Sequence, residues 1–481
     1  MLQKLFKNKI LIYLASRYGT YAIQFIVSMA IAARLGPYYL GIYGFINLII
    51  SYFGQVNFGI PHSLNVLMVH HKEDSKACSN YIANSLWIYG LLCVVVLILY
   101  GIVGVFDIQL NKDYPINNYL FLIASIAILT YINSILTTVL RVRNKVNQLS
   151  IIQSLTVFLN LCVVFFFKGE TLITALVGCN FASCILTAVI SIFSKVLPNK
   201  EDIDISINIQ KEILKKGIYL FLYNSCFYFI LISIRTIISE KYTVEEFGAF
   251  TFSFTIAHAV MLLLESLMTI IFPKIIDLLS TNDHERIDHA LENMRVGYVS
   301  SSHFLIYVAM LFFPLLVYCM PKYANAITSM NLIALAVLMN TNSCGYSSLL
   351  IAQDKEKTAA VISFTALLMN IIVGVILTKV FNVTFSYVII ATLLTYLYYS
   401  FMCVWKGKEL LGRPRLAVVV KSFFPVRLLI PYFSAFGISV LQLEYVIWIP
   451  LVLYVSLNWR DLITLKNMTL KLINTPNIAD I

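Results

Sequence analysis

The sequence predicts an all-α membrane protein that crosses the bilayer many times. Of its 481 residues, 59% are apolar or aromatic and 12% are charged, and the mean hydropathy is +0.83. An average soluble domain carries about 25% charged residues, so this chain cannot cover a globule of its size with polar surface. Its apolar runs are long and continuous rather than alternating, which excludes a β-barrel. A soluble enzyme and a DNA-binding domain are excluded on the same grounds.

Fourteen apolar segments have about the 20 residues that a spanning helix needs. They cover residues 10–33, 40–68, 80–106, 118–140, 148–167, 171–194, 216–239, 246–273, 297–320, 324–352, 358–378, 383–405, 418–440 and 443–459. The thirteenth is the weakest, because Lys421, Pro425, Arg427 and Pro431 interrupt it.

The basic residues predict the orientation of these segments. With the amino terminus in the cytoplasm, 26 of the 35 Lys and Arg residues fall on the cytoplasmic side and six fall outside. Cytoplasmic loops are enriched in Lys and Arg, so this distribution favours fourteen spans with both termini in the cytoplasm. The net charge of +11 is therefore explained by topology and does not indicate a nucleic-acid partner.

Two halves of the chain are similar at an offset of 207 residues. The stretch ARLGPYYLGIY at residues 33–43 lies over the stretch around KYTVEEFGAF at residues 241–250. Chance similarity between apolar helices is the alternative, but matches at loop residues are harder to obtain by composition. A repeat of this kind predicts two pseudo-symmetric six-helix lobes, with a substrate site between them as in transporters. The predicted boundaries are 1–195 for the first lobe, 196–215 for a cytoplasmic linker, 216–407 for the second lobe, and 408–481 for helices 13 and 14 with a tail.

Polar side chains at membrane depth are candidate site residues, because they are costly there and usually face a cavity or a partner. The first and seventh segments each carry such a face at helical spacing, comprising Arg17, Tyr21 and Gln24 in one and Asn224, Tyr228 and Arg235 in the other. The functional interpretation is a cationic lumen, since arginine suits phosphate groups. The alternative is that each arginine extends to the interface or pairs structurally.

Two further groups of polar residues lie in later segments. His258 and Glu265 are seven residues apart in segment 8, where they could form a proton or cation relay or simply bond a neighbouring helix. Asn340 and Asn342 in segment 10 could line a hydrated cavity for hydroxyl-rich cargo or join helices. No Gly-rich phosphate loop or metal-ligand spacing is present in the sequence, so we expect neither an enzyme nor a metal site.

The motif at residues 33–43, between the first two spans, resembles the amino-terminal signature of bacterial polysaccharide exporters. The stretch QVNFGI at residues 55–60 is similar to the "DLG"-like turn that ends the second span in that family. Over its whole length the chain resembles O-antigen or capsule repeat-unit flippases of the Wzx type, in the multidrug/oligosaccharidyl-lipid/polysaccharide exporter superfamily. One departure is Asn57, which stands where an acidic residue is common.

The resemblance implies a function in the bacterial cytoplasmic (inner) membrane. The cargo would be a short oligosaccharide on undecaprenyl pyrophosphate, moved from the cytoplasmic to the outer leaflet by alternating access. Arg17 matches an arginine of related flippases, and helices 13 and 14 would form a groove for the lipid tail. We expect no cofactor, H⁺ or Na⁺ as candidate coupling ions, a polymerase and a chain-length regulator as candidate partners, and a monomer.

The alternatives come from the same superfamily and from enzymes. A lipid II flippase is only weakly separated by the sequence, whereas a drug/cation antiporter would be expected to use more lumenal carboxylates than Glu265. A membrane-embedded polysaccharide polymerase would need a large outer loop, which is lacking here. An acyltransferase would need a catalytic His, for which His258 and His303 are candidates only by default.

Overall fold

The computed structural model describes residues 9–474 apart from 107, 110–111, 199–202, 282 and 414. Its described residues form helices, turns and short connections, without a β-strand. The all-α prediction is therefore confirmed. Each of the fourteen predicted segments falls on one helix or on two or three consecutive helices, when short 3₁₀ helices are counted.

The first seven α-helices are connected by short loops and by two longer connections, at residues 106–119 and 194–206. They are α1 (Lys9–Gln55), α2 (Ile60–His70), α3 (Ser75–Val105), α4 (Leu120–Val142), α5 (Val146–Val164), α6 (Gly169–Phe193) and α7 (Ile207–Lys241).

The second half begins with two long helices and ends with several short ones. They are α8 (Val244–Leu279), α9 (His284–Cys319), α10 (Ile327–Thr341), α11 (Tyr346–Ala352), α12 (Glu356–Lys379), α13 (Ile390–Leu410), α14 (Leu416–Phe423), α15 (Val426–Val440), α16 (Ile449–Leu457) and α17 (Trp459–Asn474).

The chain is a multi-pass membrane protein. Within the described residues, ten helices are long and apolar enough to cross a membrane, or up to twelve if each of two bent pairs is one span. The bent pairs are α14 with α15, at 56°, and the segment Glu444–Leu457 with α17, at 75°. The exact number of fourteen and the cytoplasmic termini stay predictions.

A glycine separates the first two predicted spans inside α1. Gly36 has φ 67° and ψ 175°, outside the helical region, and Pro37 follows it. This backbone conformation is essentially restricted to glycine, because a Cβ would clash there. The predicted boundary between the two spans therefore coincides with a break in the helical backbone of α1.

The corresponding turn in the second half is built differently. The backbone N–H and the hydroxyl of Thr243 both donate to the Glu246 carboxylate at 3.0 Å, and Thr243 Oγ1 accepts from the N–H of Glu246 at 3.3 Å. This reciprocal arrangement is a capping box at the start of α8. Both halves therefore have a turn at the same position of the repeat. Gly36 and Pro37 form it in the first half, and the capping box of Thr243 and Glu246 forms it in the second.

The chain divides into two compact units. The N-terminal unit comprises residues 29–228, and the C-terminal unit comprises residues 1–28 and 229–481. The N-terminal unit has a core of α2, α3 and α4 that includes Ile82, Tyr89 and Tyr131. Nothing in this division tests the predicted lobe boundaries at 195, 215 and 407, which stay predictions.

In the N-terminal unit, the end of the second span packs closely on α7. Asn57 Oδ1 accepts from the N–H of Gly59 at 3.0 Å, and Gly59 has φ +71°. A Cβ on Gly59 would lie 2.6 Å from the carbonyl oxygen of Gly217 in α7. Asn57 therefore shapes a turn, a role for which its amide suffices.

In the C-terminal unit, α10 lies at the centre. It packs against α8, α9, α13 and α15, and all of its residues except Val337 and Asn340 are buried. Polar groups on α10 are consequently shielded from lipid.

Candidate functional site

A polar pocket opens in the C-terminal unit where α10 ends and α11 begins. Gly345 makes the break with φ +82°, and a Cβ there would lie 2.6 Å from Leu291 Cδ2 of α9. The pocket has a volume of about 230 Å³. Its lining consists of Tyr298, Asn340, Thr341, Ser343, Cys344, Gly345, Ser347 and Ser348.

The pocket carries hydroxyl and amide groups and no charged side chain. Several of the hydroxyls donate to backbone carbonyls, as Ser343 Oγ does to Asn340 O at 2.8 Å. The Oδ1 atom of Asn340 is buried and makes no hydrogen bond within the described residues. An amide oxygen left without a donor is costly, so it is a ready acceptor for a hydroxyl group of a ligand.

The two predicted residues of this segment have different surroundings. Asn340 lines the pocket, whereas Asn342 is fully buried and does not line it. Asn342 Nδ2 donates to the carbonyl of Met339 at 3.2 Å, and its Oδ1 has no partner among the described residues. Asn342 is therefore placed to support the break in the helix rather than to touch cargo.

The predicted residues of the first span lie in one continuous helix. Arg17, Tyr21 and Gln24 all fall within α1 before its break at Gly36, so the helical spacing is confirmed for the backbone. The side chain of Arg17 lies outside the described part of the structure. Tyr21 is half-buried and Gln24 is exposed. Their role as lumenal residues stays a prediction.

The predicted residues of the seventh span lie on α7. Asn224 and Tyr228 are exposed and belong to the N-terminal unit. Arg235 belongs to the C-terminal unit, where its guanidinium carbon lies 5.3 Å from the ring centre of Phe254 and 5.9 Å from that of Phe247. Such cation–π contacts stabilise a partly desolvated arginine.

The predicted relay residues are both in α8. His258 is exposed, and its ring meets the edge of Phe254 at 5.8 Å between ring centres. The Glu265 side chain lies outside the described part of the structure. Phe254 therefore contacts both Arg235 and His258, but a relay through Glu265 stays a prediction. Among the described residues, no group of three or more His, Cys, Asp or Glu side chains is placed to hold a metal ion.

The sequence reasoning missed a tether between α9 and the last helices of the C-terminal unit. Asp461 accepts from Arg427 Nη1 at 2.9 Å and from Ser300 Oγ at 3.1 Å. The Tyr454 hydroxyl donates to the carbonyl of Ser300 at 2.7 Å, and the buried His303 ring stacks on Tyr454 at 6.0 Å between centres. Arg427 had been noticed only as an interruption of segment 13.

A second missed cluster surrounds Tyr346 at the start of α11. The guanidinium carbon of Arg295 lies 6.0 Å from the ring centre of Tyr346, and Lys408 Nζ lies 5.9 Å from it. Lys408 pairs with Asp288 at 2.6 Å, and Arg413 pairs with the same carboxylate at 2.7 Å. These residues flank span ends, where the sequence reasoning counted them only as topological charges.

Solved structures share the fold of this chain. The chain matches a multidrug resistance MATE family transporter of the MOP superfamily in an inward-facing conformation, with a TM-score of 0.66 at 12% identity over 83% of this chain and 96% of that one. It matches an outward-facing transporter described in the same terms with a TM-score of 0.57 at 15% identity over 86% and 97%. A MOP superfamily transporter from Pyrococcus furiosus, described by the reverse polarity of its binding pocket, gives 0.59 at 12% identity over 83% and 93%.

At such identities these likenesses establish the fold and no substrate. The model of the family described as "Polysaccharide biosynthesis protein" matches residues 6–279, which is more than half of the chain. The chain belongs to this family. No curated protein matches it. The structures that share its fold are transporters rather than enzymes, in agreement with the prediction that the chain is not an enzyme.

Proposed function

We propose that the chain flips an undecaprenyl-pyrophosphate-linked oligosaccharide repeat unit of an O-antigen, capsule or exopolysaccharide. The movement runs from the cytoplasmic to the outer leaflet of the bacterial inner membrane by alternating access. The observation that carries the proposal is the uncharged pocket of hydroxyl and amide groups at Asn340, in a chain of the polysaccharide biosynthesis family. Membership of a family that makes polysaccharides and a transporter fold together favour export of a glycan.

The need to move a polar head group across the bilayer explains why such a polar site is required. Sugar hydroxyls and a pyrophosphate cannot enter hydrocarbon without losing their hydrogen bonds, which costs several kcal/mol for each unsatisfied group. A polyprenyl tail is apolar and stays in the bilayer beside the protein. The protein therefore needs to shield only the head group, with polar side chains that replace water.

Other cargoes have less support. A cationic drug would be expected to need a carboxylate, and the pocket lining contains none. A lipid II head group also carries sugars and a pyrophosphate, so it remains the nearest alternative cargo. A polymerase or an acyltransferase has less support, because the structures that share the fold are transporters.

We propose that the protein works without a cofactor and as a monomer, since one chain contains both units. H⁺ or Na⁺ is the proposed coupling ion, with His258 and Glu265 as the residues to test. A polymerase and a chain-length regulator are the proposed partners, because a flipped repeat unit has to be joined to a growing chain.

The testing experiment compares a strain that lacks the gene with its parent. The pool of lipid-linked oligosaccharides is measured by mass spectrometry, and surface polysaccharide is scored in parallel. We expect undecaprenyl-linked repeat units to accumulate while surface polymer is lost. Normal surface polymer with altered drug sensitivity would indicate the antiporter instead, and single unpolymerised units at the surface would indicate a polymerase.

Arg17 provides a sharper test of the cationic lumen. We expect Arg17→Ala to impair export much more than Arg17→Lys, because a lysine keeps the positive charge that a phosphate group needs. Surface polymer is quantified in the deletion strain carrying each variant at equal protein level. Equal export by the wild type and Arg17→Ala would remove Arg17 from the site.

A further inference from the structure

Arg295 in α9 is a partly buried arginine that forms no ion pair in the described part of the chain. Its Nη2 donates to the carbonyl of Phe423 at 2.8 Å, and its Nε is buried and makes no hydrogen bond there. No described carboxylate forms an ion pair with it. A guanidinium removed from water without an opposite charge is unfavourable, so this environment suits an anion.

Two carboxylates of this region are already occupied, and a third, Glu292, is exposed and lies three residues before Arg295 in α9 without forming an ion pair with it. Asp288 binds both Lys408 and Arg413, and Asp461 binds Arg427. Each of these basic residues therefore has a carboxylate partner within the C-terminal unit, although Lys408 and Arg413 share one. Arg295 differs from them, although it lies in the same helix as Asp288, seven residues further on.

Arg295 also lies at the edge of the polar pocket. It faces the ring of Tyr346, and the two residues before Tyr346, Cys344 and Gly345, line the pocket. Tyr298, three residues after Arg295 and thus on the same side of α9, lines the pocket as well. A fixed positive charge and an uncharged hydroxyl-rich pocket are therefore neighbours in one unit.

We propose that Arg295 binds a phosphate oxygen of the lipid-linked cargo while the pocket at Asn340 holds the sugar next to it. This inference rests on the proposed function, and it assigns the two chemical parts of one head group to two adjacent places. Arginine is suited to the task because its planar fork donates paired hydrogen bonds to phosphate and keeps its charge. The sugar needs no charge and is held by amide and hydroxyl groups.

The test measures binding to the purified full chain in detergent by calorimetric titration. The probes are farnesyl pyrophosphate and farnesol, which share an apolar tail and differ in the anion. The variants are Arg295→Gln, Arg295→Lys and the control Arg286→Gln, which removes an exposed arginine from the same helix. We expect Arg295→Gln to weaken farnesyl pyrophosphate binding at least about tenfold and to leave farnesol binding unchanged. Arg295→Lys should be intermediate, and the control should stay within about twofold.

Two outcomes overturn different statements. If the wild type binds farnesyl pyrophosphate tightly and Arg295→Gln binds it equally well, Arg295 is not the anion site but the proposed cargo stands. If the wild type binds farnesyl pyrophosphate no better than farnesol, both the site and the pyrophosphate-linked cargo are wrong. A role for Arg295 only in holding Phe423 would weaken both ligands together and lower the unfolding temperature.

A second variant keeps the proposal testable if Arg295→Gln does not fold. Cys344→Asp places a carboxylate in the pocket lining, two residues before Tyr346, whose ring Arg295 faces. The new carboxylate should occupy the guanidinium and repel the phosphate, so that farnesyl pyrophosphate binds at least about fivefold more weakly and farnesol does not. Unchanged binding of farnesyl pyrophosphate would contradict the proposal.

Discussion

Arg295 and Arg427 are both basic residues near the ends of spans in the C-terminal unit, yet their surroundings are opposite. Arg427 pairs with Asp461, which also accepts from Ser300 and so joins the last helices to α9. Arg295 forms no described ion pair, its neighbour Glu292 on α9 is exposed, and Arg295 lies beside a polar pocket. A charge that the protein balances internally holds helices together, whereas a charge left unbalanced is available to a ligand. We therefore expect substitutions around Arg427 to change stability and those around Arg295 to change binding.

Breaking the ion pair between Arg427 and Asp461 should have the largest effect on stability. Arg427→Ala leaves the Asp461 carboxylate, whose side chain is 10% exposed, without its partner. We expect the free energy of unfolding to fall by about 2–3 kcal/mol, somewhat less than for a fully buried pair. Denaturant unfolding in detergent measures it, with Arg286→Ala as the control that should change stability by less than about 0.5 kcal/mol. An Arg427→Ala protein as stable as this control would mean that the pair does not hold the last helices.

Gly345→Ala should lower stability by a comparable or slightly smaller amount, and it alters the pocket beside Arg295. Ala at φ +82° is strained, and its Cβ would lie 2.6 Å from Leu291 Cδ2. Gly412→Ala is the matched control, because Gly412 has φ +71° with nothing near the added Cβ. We expect Gly412→Ala to cost about 1 kcal/mol from backbone strain, and Gly345→Ala to cost about 1–2 kcal/mol more. Equal losses in the two unfolding curves would show that Leu291 yields without cost.

Asn340→Ala should have the smallest effect on stability and a clear effect on export. Asn331, also on α10, is the control, since its Oδ1 is likewise buried without a described partner but it does not line the pocket. We expect Asn340→Ala to reduce surface polymer about three- to tenfold at equal protein level, because one hydrogen bond to a sugar is lost. Asn331→Ala should leave export within about twofold. Equal losses for the two variants would indicate that these amides act only in packing.

The sequence predicted the helices well because hydropathy reports the cost of placing each side chain in lipid. The motif at residues 33–43 contains a break in the helical backbone of α1, since Gly36 and Pro37 disfavour a continuous helix. The charged residues and prolines that interrupt segment 13 also correspond to a structural feature. The chain bends by 56° between α14 and α15, at Pro425.

The partners of charged residues could not be predicted in the same way. Asp461 lies 34 residues after Arg427, and Asp288 lies 120 residues before Lys408. Neither helical spacing nor hydropathy connects such residues, because the pairing depends on how the helices pack. Arg295 was counted among the cytoplasmic charges for the same reason. Asn340 was found because an amide within an apolar segment is conspicuous, but its position in a pocket depends on the break at Gly345.

The most direct test of the central claim is a flipping measurement with the purified protein in lipid vesicles. Undecaprenyl-linked oligosaccharide extracted from the deletion strain is added, and the fraction reached by a glycosidase outside the vesicles is followed over time. We predict that vesicles with the protein expose nearly all of the lipid-linked glycan and that Arg295→Gln slows this exposure at least about tenfold, whereas empty vesicles leave about half of the glycan protected. Equal protection in vesicles with and without the wild-type protein would contradict a flippase.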